Sequence, residues 1–110
     1  MTSERRKFER VLLNKVAKAY VTDAHGKKLG HLRMLGRGGF QVETKRKFVV
    51  GDSITALIVD ESEDIRREVI GVIRNVADGK LVGIEFSDLD PDAAVEVGVI
   101  IGKYYASAND

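Results

Sequence analysis

Residues 68–86, EVIGVIRNVADGKLVGIEF, carry the clearest fold pattern in the chain. The dipeptide Asp78-Gly79 is typical of two-residue turns between antiparallel strands. The residues before it are rich in β-branched side chains, and those after it place Val82, Ile84 and Phe86 on one face. We therefore predict a β-hairpin with strands over residues 68–76 and 80–86.

Four further segments alternate in polarity or are rich in β-branched residues, as strands are. They are residues 15–22, 28–35, 40–44 and 53–59. Turns separate them at residues 23–26, 36–39 and 51–52, which are rich in glycine and also contain aspartate and arginine. Three glycines within residues 36–39 indicate positive φ angles or a close approach of the backbone to another group. Several short strands spaced by turns predict a barrel or a sandwich.

The two acidic segments have different predicted structures. Residues 60–64, DESED, are predicted to be a solvated loop. Residues 88–92, DLDPD, combine acids with a proline in the way that a helix start does. We predict a C-terminal helix from this point. The residues that share one face of it are Ala94, Val97, Ile101, Tyr104 and Tyr105.

Composition limits the classes of function. The chain has 110 residues, no cysteine and a formal net charge of +1. One domain is expected at this length, and the lack of cysteine excludes disulfides, thiolate metal sites and thiol nucleophiles. No apolar stretch is long enough for a signal peptide or a membrane span, so we expect a cytoplasmic protein without membrane insertion. The near-neutral charge argues against nucleic acid as a partner.

No pattern of catalytic or metal-binding residues stands out. His25 and His31 fall in a predicted turn and a predicted strand, an arrangement poorly matched to a metal pair. No Ser-His-Asp set, phosphate-binding loop or dinucleotide fingerprint is present. We therefore expect a binding protein that is not an enzyme and holds neither a metal nor a cofactor.

Two motifs remain, a basic N-terminal run and a glycine-rich turn. The first is Arg6-Lys7-Phe8-Glu9-Arg10, an RxxxR pattern, and the second is MLGRGG at residues 34–39. With the order of strands and the C-terminal helix, they resemble the PilZ family over nearly the whole chain. The resemblance implies a mainly β fold, a six-stranded antiparallel barrel with a C-terminal helix. It also implies a single domain with a basic arm over residues 1–13 and the barrel and helix over residues 14–110.

PilZ domains are bacterial receptors for cyclic di-GMP, and the resemblance implies that ligand class here. Arg6 and Arg10 match the two arginines of RxxxR, and Gly39 matches the closing glycine of the second motif. Arg37 is a further ligand-binding candidate beside them. Arg5, Arg33 and Gly38 complete the set. An arginine can chelate phosphate or the O6 and N7 atoms of guanine, and it can stack on a base.

Met34 and Gly36 depart from the family pattern, which has Asp or Asn and Ser at these positions. Neither side chain can replace the hydrogen bonds that those residues make to guanine. Compensation is conceivable from His31, Arg33, Arg37 and Arg74. Strand alternation places His31 and Arg33 on one face with Leu35, opposite Met34, so that neither can occupy the missing positions.

Three hypotheses about function stay open. The first is a receptor that binds cyclic di-GMP through the arginine arm and the barrel face and relays the signal to a separate protein. The second is a degenerate PilZ module that has lost nucleotide binding and acts as a protein adaptor. The third is a small-barrel RNA or DNA binder, against which the near-neutral charge argues.

Overall fold

The computed structural model describes residues 10–13 and 18–108, which form seven strands, a 3-10 turn and one helix. The strands are β1 (Arg10–Leu12), β2 (Ala19–Asp23), β3 (Lys28–Gly36), β4 (Gly39–Thr44), β5 (Ser53–Asp60), β6 (Ile65–Ala77) and β7 (Leu81–Phe86). The 3-10 turn (Glu61–Glu63) joins β5 to β6, and helix α1 (Pro91–Ala108) follows β7.

Strands β2 to β7 form a closed antiparallel barrel. The pairing order is β3-β2-β5-β6-β7-β4, and β4 pairs back to β3 to complete the circle. Closure leaves none of these six strands as an open edge. The predicted six-stranded antiparallel barrel with a C-terminal helix is confirmed. The alternative of a sandwich is excluded, because the strands form one closed sheet.

Strand β1 is a seventh strand, and it pairs with β3 of the barrel. It pairs with the C-terminal end of β3, while β2 pairs with the N-terminal half of β3. Because β4 occupies the other edge of β3 along both stretches, β1 and β2 share one edge and follow one another along it. The N-terminal part of the chain therefore reaches the barrel at the end of β3.

The core is made by inward-facing residues of every barrel strand and by one side of α1. The alternation of buried and half-buried residues along β4 shows the pattern of a strand with one face inside. The largest fully buried side chains include Phe40, Leu32, Leu35, Ile58 and Ile73. Burial of such side chains is the main stabilising term of a domain of this size.

The β6–β7 hairpin forms around Asp78-Gly79, as predicted. Asp78 and Gly79 have φ angles of 56° and 70°, and the amide of Lys80 donates to the carbonyl of Ala77 at 3.1 Å. Two successive positive φ angles define the type I′ turn, whose twist suits a hairpin. Strand β6 begins at Ile65, three residues before the predicted start at Glu68, because residues 65–67 continue the pairing with residues 58–60 of β5.

Helix α1 begins at Pro91, as the acidic segment predicted. The carboxylate of Asp90 accepts a hydrogen bond from the amide of Ala93 at 3.0 Å, which caps the first turn. The buried face consists of Ala93, Val97, Ile100 and Ile101. Ala94 is only half-buried, so the buried stripe begins one residue earlier than predicted. Tyr104 packs against the core, and the side chain of Tyr105 lies outside the described structure.

The prediction that residues 60–64 form a solvated loop is wrong at its first residue. Asp60 ends strand β5 and is 0% exposed. Its carboxylate accepts hydrogen bonds from the amide and the hydroxyl of Ser62, at 3.0 and 2.6 Å. The ammonium group of Lys103 lies 3.4 Å from it and also contacts Ser62. A buried carboxylate is tolerated because these groups compensate for the water it has lost.

Candidate ligand-binding site

The two sequence motifs meet where β1 pairs with the end of β3. Arg10 is opposite Gly36, Val11 is opposite Leu35, and Leu12 is opposite Met34. The amide of Leu13 donates to the carbonyl of Arg33 at 2.8 Å and continues the pairing. The last arginine of RxxxR is thus placed directly beside the glycine-rich motif. Of Arg10 only the backbone is described, and Arg5 and Arg6 lie outside the described residues.

Buried residues on both strands hold this contact in register. Val11 is 5% exposed and Leu35 is 0% exposed, so both belong to the core. Their neighbours Leu12 and Met34 therefore belong to the outer face, where Leu12 is 78% exposed. A slip of one residue would reverse the two faces and expose the buried pair. The register is consequently fixed by packing.

A row of outward-facing positions crosses the barrel from this contact. Met34 is paired with Gln41 on β4, Gln41 with Gly83 on β7, and Gly83 with Asn75 on β6. The amide oxygen of Asn75 lies 2.8 Å from the place where a Cβ atom on Gly83 would stand. We call Leu12, Met34, Gln41, Gly83 and Asn75 the outer row. It combines an apolar part with two carboxamide side chains.

Gly39 is required by the packing of two strands. A Cβ atom at this position would lie 2.1 Å from the carbonyl oxygen of Ile84 on β7. The neighbouring carbonyl of Gly38 accepts a hydrogen bond from the amide of Phe86 at 2.9 Å. Among the described glycines, positive φ angles occur at Gly26, Gly51 and Gly79 and not within residues 36–39. Close backbone approach, the second of the two predicted explanations, applies to Gly39.

The arginines that could compensate for the altered motif already have partners. A guanidinium nitrogen of Arg33 lies 3.1 Å from the carboxylate of Glu43. That of Arg74 lies 2.6 Å from the carboxylate of Glu85. Arg37 is exposed, and its guanidinium lies against α1, 3.5 Å from the position of a Cβ atom on Gly98. Arg33 and Arg74 are therefore already engaged in ion pairs, and Arg37 lies against α1.

The predicted distribution of β3 residues between its faces is wrong. His31 is exposed, but Leu35 is buried, so the two do not share a face. The reason is an irregularity in the β3–β4 pairing between Leu32 and Met34, which makes Arg33 an extra residue. A bulge of this kind reverses the alternation beyond it. Met34 nevertheless faces outward, opposite Leu12 of β1.

Gln41 and Asn75 are outer-row residues that the sequence analysis did not single out. The outward direction of Gln41 could be predicted from the sequence, because the alternation of Phe40, Val42 and Thr44 leaves position 41 on the outer face. The outward direction of Asn75 could not, because the β6–β7 pairing shifts between Ile73 and Asn75. Nothing local in the sequence reports that shift.

The described residues contain no cluster of His, Asp and Glu that could hold a metal ion. Within the same part of the chain, no helix is long and apolar enough to cross a membrane. The pairing of β1 with β3 makes the candidate site the outer face of a β-barrel next to the end of an arginine-bearing segment.

Comparison with known proteins agrees with this architecture. The PilZ domain family matches residues 4–101, a segment that includes both motifs. The fold is similar to that of the PilZ domain with c-di-GMP of YcgR from Escherichia coli, with a TM-score of 0.71. The two chains are 13% identical, and the similarity covers 94% of each. No curated protein matches the chain by sequence. Because the family match spans most of its length, the chain belongs to the PilZ domain family.

Proposed function

We propose that the chain is a non-catalytic receptor for cyclic di-GMP, in which Arg6 and Arg10 bind the ligand against the barrel beside residues 36–39. The pairing of Arg10 with Gly36 carries the proposal, because it brings the two motifs of the family together in one place. The PilZ domain of YcgR, which has the same fold, is known with c-di-GMP. That neighbour supports the choice of ligand class.

The chemistry of arginine suits this ligand. A guanidinium group can donate two parallel hydrogen bonds to a phosphate or to the O6 and N7 atoms of guanine. It can also stack on a purine face, which an ammonium group does less well. Two arginines with three residues between them in the sequence can thus contact two different parts of a cyclic dinucleotide. We include Arg5 and Arg37 as further cations for this ligand.

The altered second motif predicts weakened recognition of guanine. Met34 and Gly36 provide no polar side-chain atom that can bind the guanine edge as Asp and Ser would. Each polar ligand group left unpaired costs about 1 to 3 kcal/mol. The carboxamide of Gln41, on the adjacent strand, is the nearest replacement for position 34. Met34 and Leu12 offer an apolar surface on which a base can pack.

Binding would be reported through the N-terminal arm. A doubly charged ligand that holds the arm against the outer row changes the surface that another protein meets. We propose that this change is relayed to a separate protein. Gly39 contributes by letting β4 approach β7 closely, and the carbonyl of Gly38 continues this contact by accepting a hydrogen bond from the amide of Phe86.

The test is calorimetric titration of the full chain with cyclic di-GMP. Saturable binding is expected for the wild type and for Arg66→Ala, a matched control at an exposed arginine of β6. Arg10→Ala is expected to lose most of the affinity while its thermal unfolding profile is unchanged. Equal binding by Arg10→Ala and the wild type would refute the assignment of the arginine arm.

A second candidate function is supported by the apolar half of the outer row. Leu12 is 78% exposed beside Met34, where the family has a polar residue. Such a surface fits a degenerate module that binds a protein instead of a nucleotide. The variant Met34→Asp, Gly36→Ser separates the two functions. A silent wild type with a restored response in the variant would identify the degenerate module, whereas binding by the wild type would identify the receptor.

A further inference from the structure

Three turns meet at the end of the barrel that lies opposite β1. The first is the β2–β3 turn together with the last residue of β2 and the first residue of β3 (residues 23–28). The others are the β4–β5 loop (residues 45–52) and the β6–β7 turn (residues 78–80). A guanidinium nitrogen of Arg46 lies 3.6 Å from the carboxylate of Asp23 and joins the first two. The amide of Thr44 donates to the carbonyl of Lys80 at 2.8 Å and joins the second and third. We call these three segments the basic end.

The basic end has an excess of positive charge in a chain that is almost neutral. It contains six cations and three acids. The cations are Lys27, Lys28, Lys45, Arg46, Lys47 and Lys80. The carboxylate of Asp23 is already engaged, because it also accepts hydrogen bonds from the amides of His25 and Lys27 at 2.9 Å each. Within the part of the chain that the structure describes, no ion pair involves Lys45 or Lys47.

Two large apolar side chains stand exposed among these cations. Val49 is 65% exposed and Val50 is 58% exposed. Phe48, just before them, packs against the core and anchors the loop. A Cβ atom placed on Gly51 would meet nothing within 4 Å, so the space beside this turn is open. The two valines therefore lie on an exposed turn of the β4–β5 loop, which we call the apolar tip.

Backbone hydrogen bonds hold this tip in one conformation. The amide of Asp52 donates to the carbonyl of Val49 at 3.1 Å across a turn in which Gly51 has a φ angle of 98°. Gly51 and Asp52 are tied to Ile73 of β6 by two further bonds of 2.8 Å. A surface turn of this kind does not require valine, and polar residues are the usual choice. The backbone thus holds the apolar tip at a fixed place on the surface.

We propose that the basic end binds the surface of a lipid bilayer that contains anionic lipids, without spanning it. Cations near such a surface are attracted to its negative potential, and exposed aliphatic side chains at the same level enter the boundary between headgroups and acyl chains. Exposed aliphatic side chains beside a group of cations match the two components of such a surface, its anionic headgroups and its acyl chains. The described part of the arginine arm, strand β1, pairs with the opposite end of β3. This inference does not depend on the proposed function.

The test is flotation of the full chain with vesicles of phosphatidylcholine, with and without a minority of phosphatidylglycerol. Binding is expected only to the anionic vesicles, and it should weaken as salt is raised. Each neutralised cation should weaken binding about fivefold, so Lys45→Gln with Lys47→Gln should weaken it about twenty-five-fold. Val49→Ser with Val50→Ser should cost about tenfold or more through lost apolar contact.

Two controls locate the binding surface. Val95 and Val99 are exposed valines of α1, at 67% and 46%, and their replacement by serine should leave flotation unchanged. Arg6→Ala with Arg10→Ala should also leave it unchanged, and loss of binding there would move the site to the arm and overturn the proposal. The absence of binding by the wild type to anionic vesicles at low salt would overturn it without any variant. So would undiminished binding by a folded variant that lacks both loop valines.

Discussion

Gly39 matches the closing glycine of the second family motif, and the close approach of β4 to β7 also requires glycine at this position. A methyl group at this position would collide with the carbonyl oxygen of Ile84, which belongs to the backbone of β7 and cannot rotate away. We predict that Gly39→Ala lowers the free energy of unfolding by about 2 to 4 kcal/mol, since the two strands must separate to admit it. Urea denaturation of the purified chain measures this loss.

Gly102 provides the matched control for that substitution. It lies in α1, where a Cβ atom would meet nothing within 4 Å. Gly102→Ala should raise the free energy of unfolding by about 0.5 to 1 kcal/mol, because alanine is the better helix former. If Gly39→Ala were as stable as the wild type, the close approach to β7 would not constrain this position. Loss of ligand binding in Gly39→Ala therefore cannot by itself show ligand contact.

At the scale of elements, α1 is fastened to the barrel by a charged contact as well as by its apolar face. Lys103 lies against Asp60, which is fully buried, and 3.5 Å from the carboxylate of Glu63. We predict that Lys103→Met destabilises the chain by about 2 to 3 kcal/mol, because it leaves a buried carboxylate without its cation. Arg67→Met removes the more exposed pair with Glu96 and should cost less in the same urea titration. An equal loss in both variants would contradict the special role of burial.

The same contact predicts a loss of stability at alkaline pH. Burial is the largest single influence on the pKa of Lys103 and would lower it, but the charges of Asp60, Tyr104 and Glu63 and the hydrogen bond to Asp60 together outweigh burial and raise the pKa above 10.5. Burial, followed by the charge of Asp60, raises the pKa of Tyr104 above 10.0. A folded-state pKa above the unfolded value gives stability that is complete below the unfolded value and is lost as pH rises through the folded one. Unfolding free energies measured from neutral pH upward should therefore fall from about pH 10, and less steeply in Lys103→Met.

The elements differ in how far the sequence alone could define them. The β6–β7 hairpin was predictable, because Asp78 and Gly79 are adjacent and their turn is a local preference. The burial of Asp60 was not, because its cation is 43 residues away on α1. The faces of β3 were not predictable, because the bulge at Arg33 reverses the alternation that the sequence indicates. The outer row could thus be predicted on β4, where Gln41 lies, but not on β3 or β6.

At the scale of the whole molecule, closure of the barrel separates the two proposed binding surfaces. The β1–β3 contact and the basic end lie at opposite ends of β3, which runs from Lys28 to Gly36. The hydrogen-bonded strands of the barrel connect these two ends and keep them apart. A ligand at one end and a surface at the other can therefore be bound together without competition. The family motif defined the first end, whereas the second became visible only when three separate turns were brought together.

Ligand binding at the arm should stabilise the whole fold, because β1 is part of the sheet. A ligand that binds only the folded chain adds about 2.7 kcal/mol when its concentration is a hundred times Kd, which raises Tm by about 10 °C for a domain of this size. We predict this rise for the wild type with cyclic di-GMP in a thermal melt. Arg10→Ala should keep its own Tm and lose the rise, whereas Arg66→Ala should keep both. A rise of equal size in Arg10→Ala would place the ligand elsewhere on the barrel, since a linked stabilisation disappears only with the contacts that produce it.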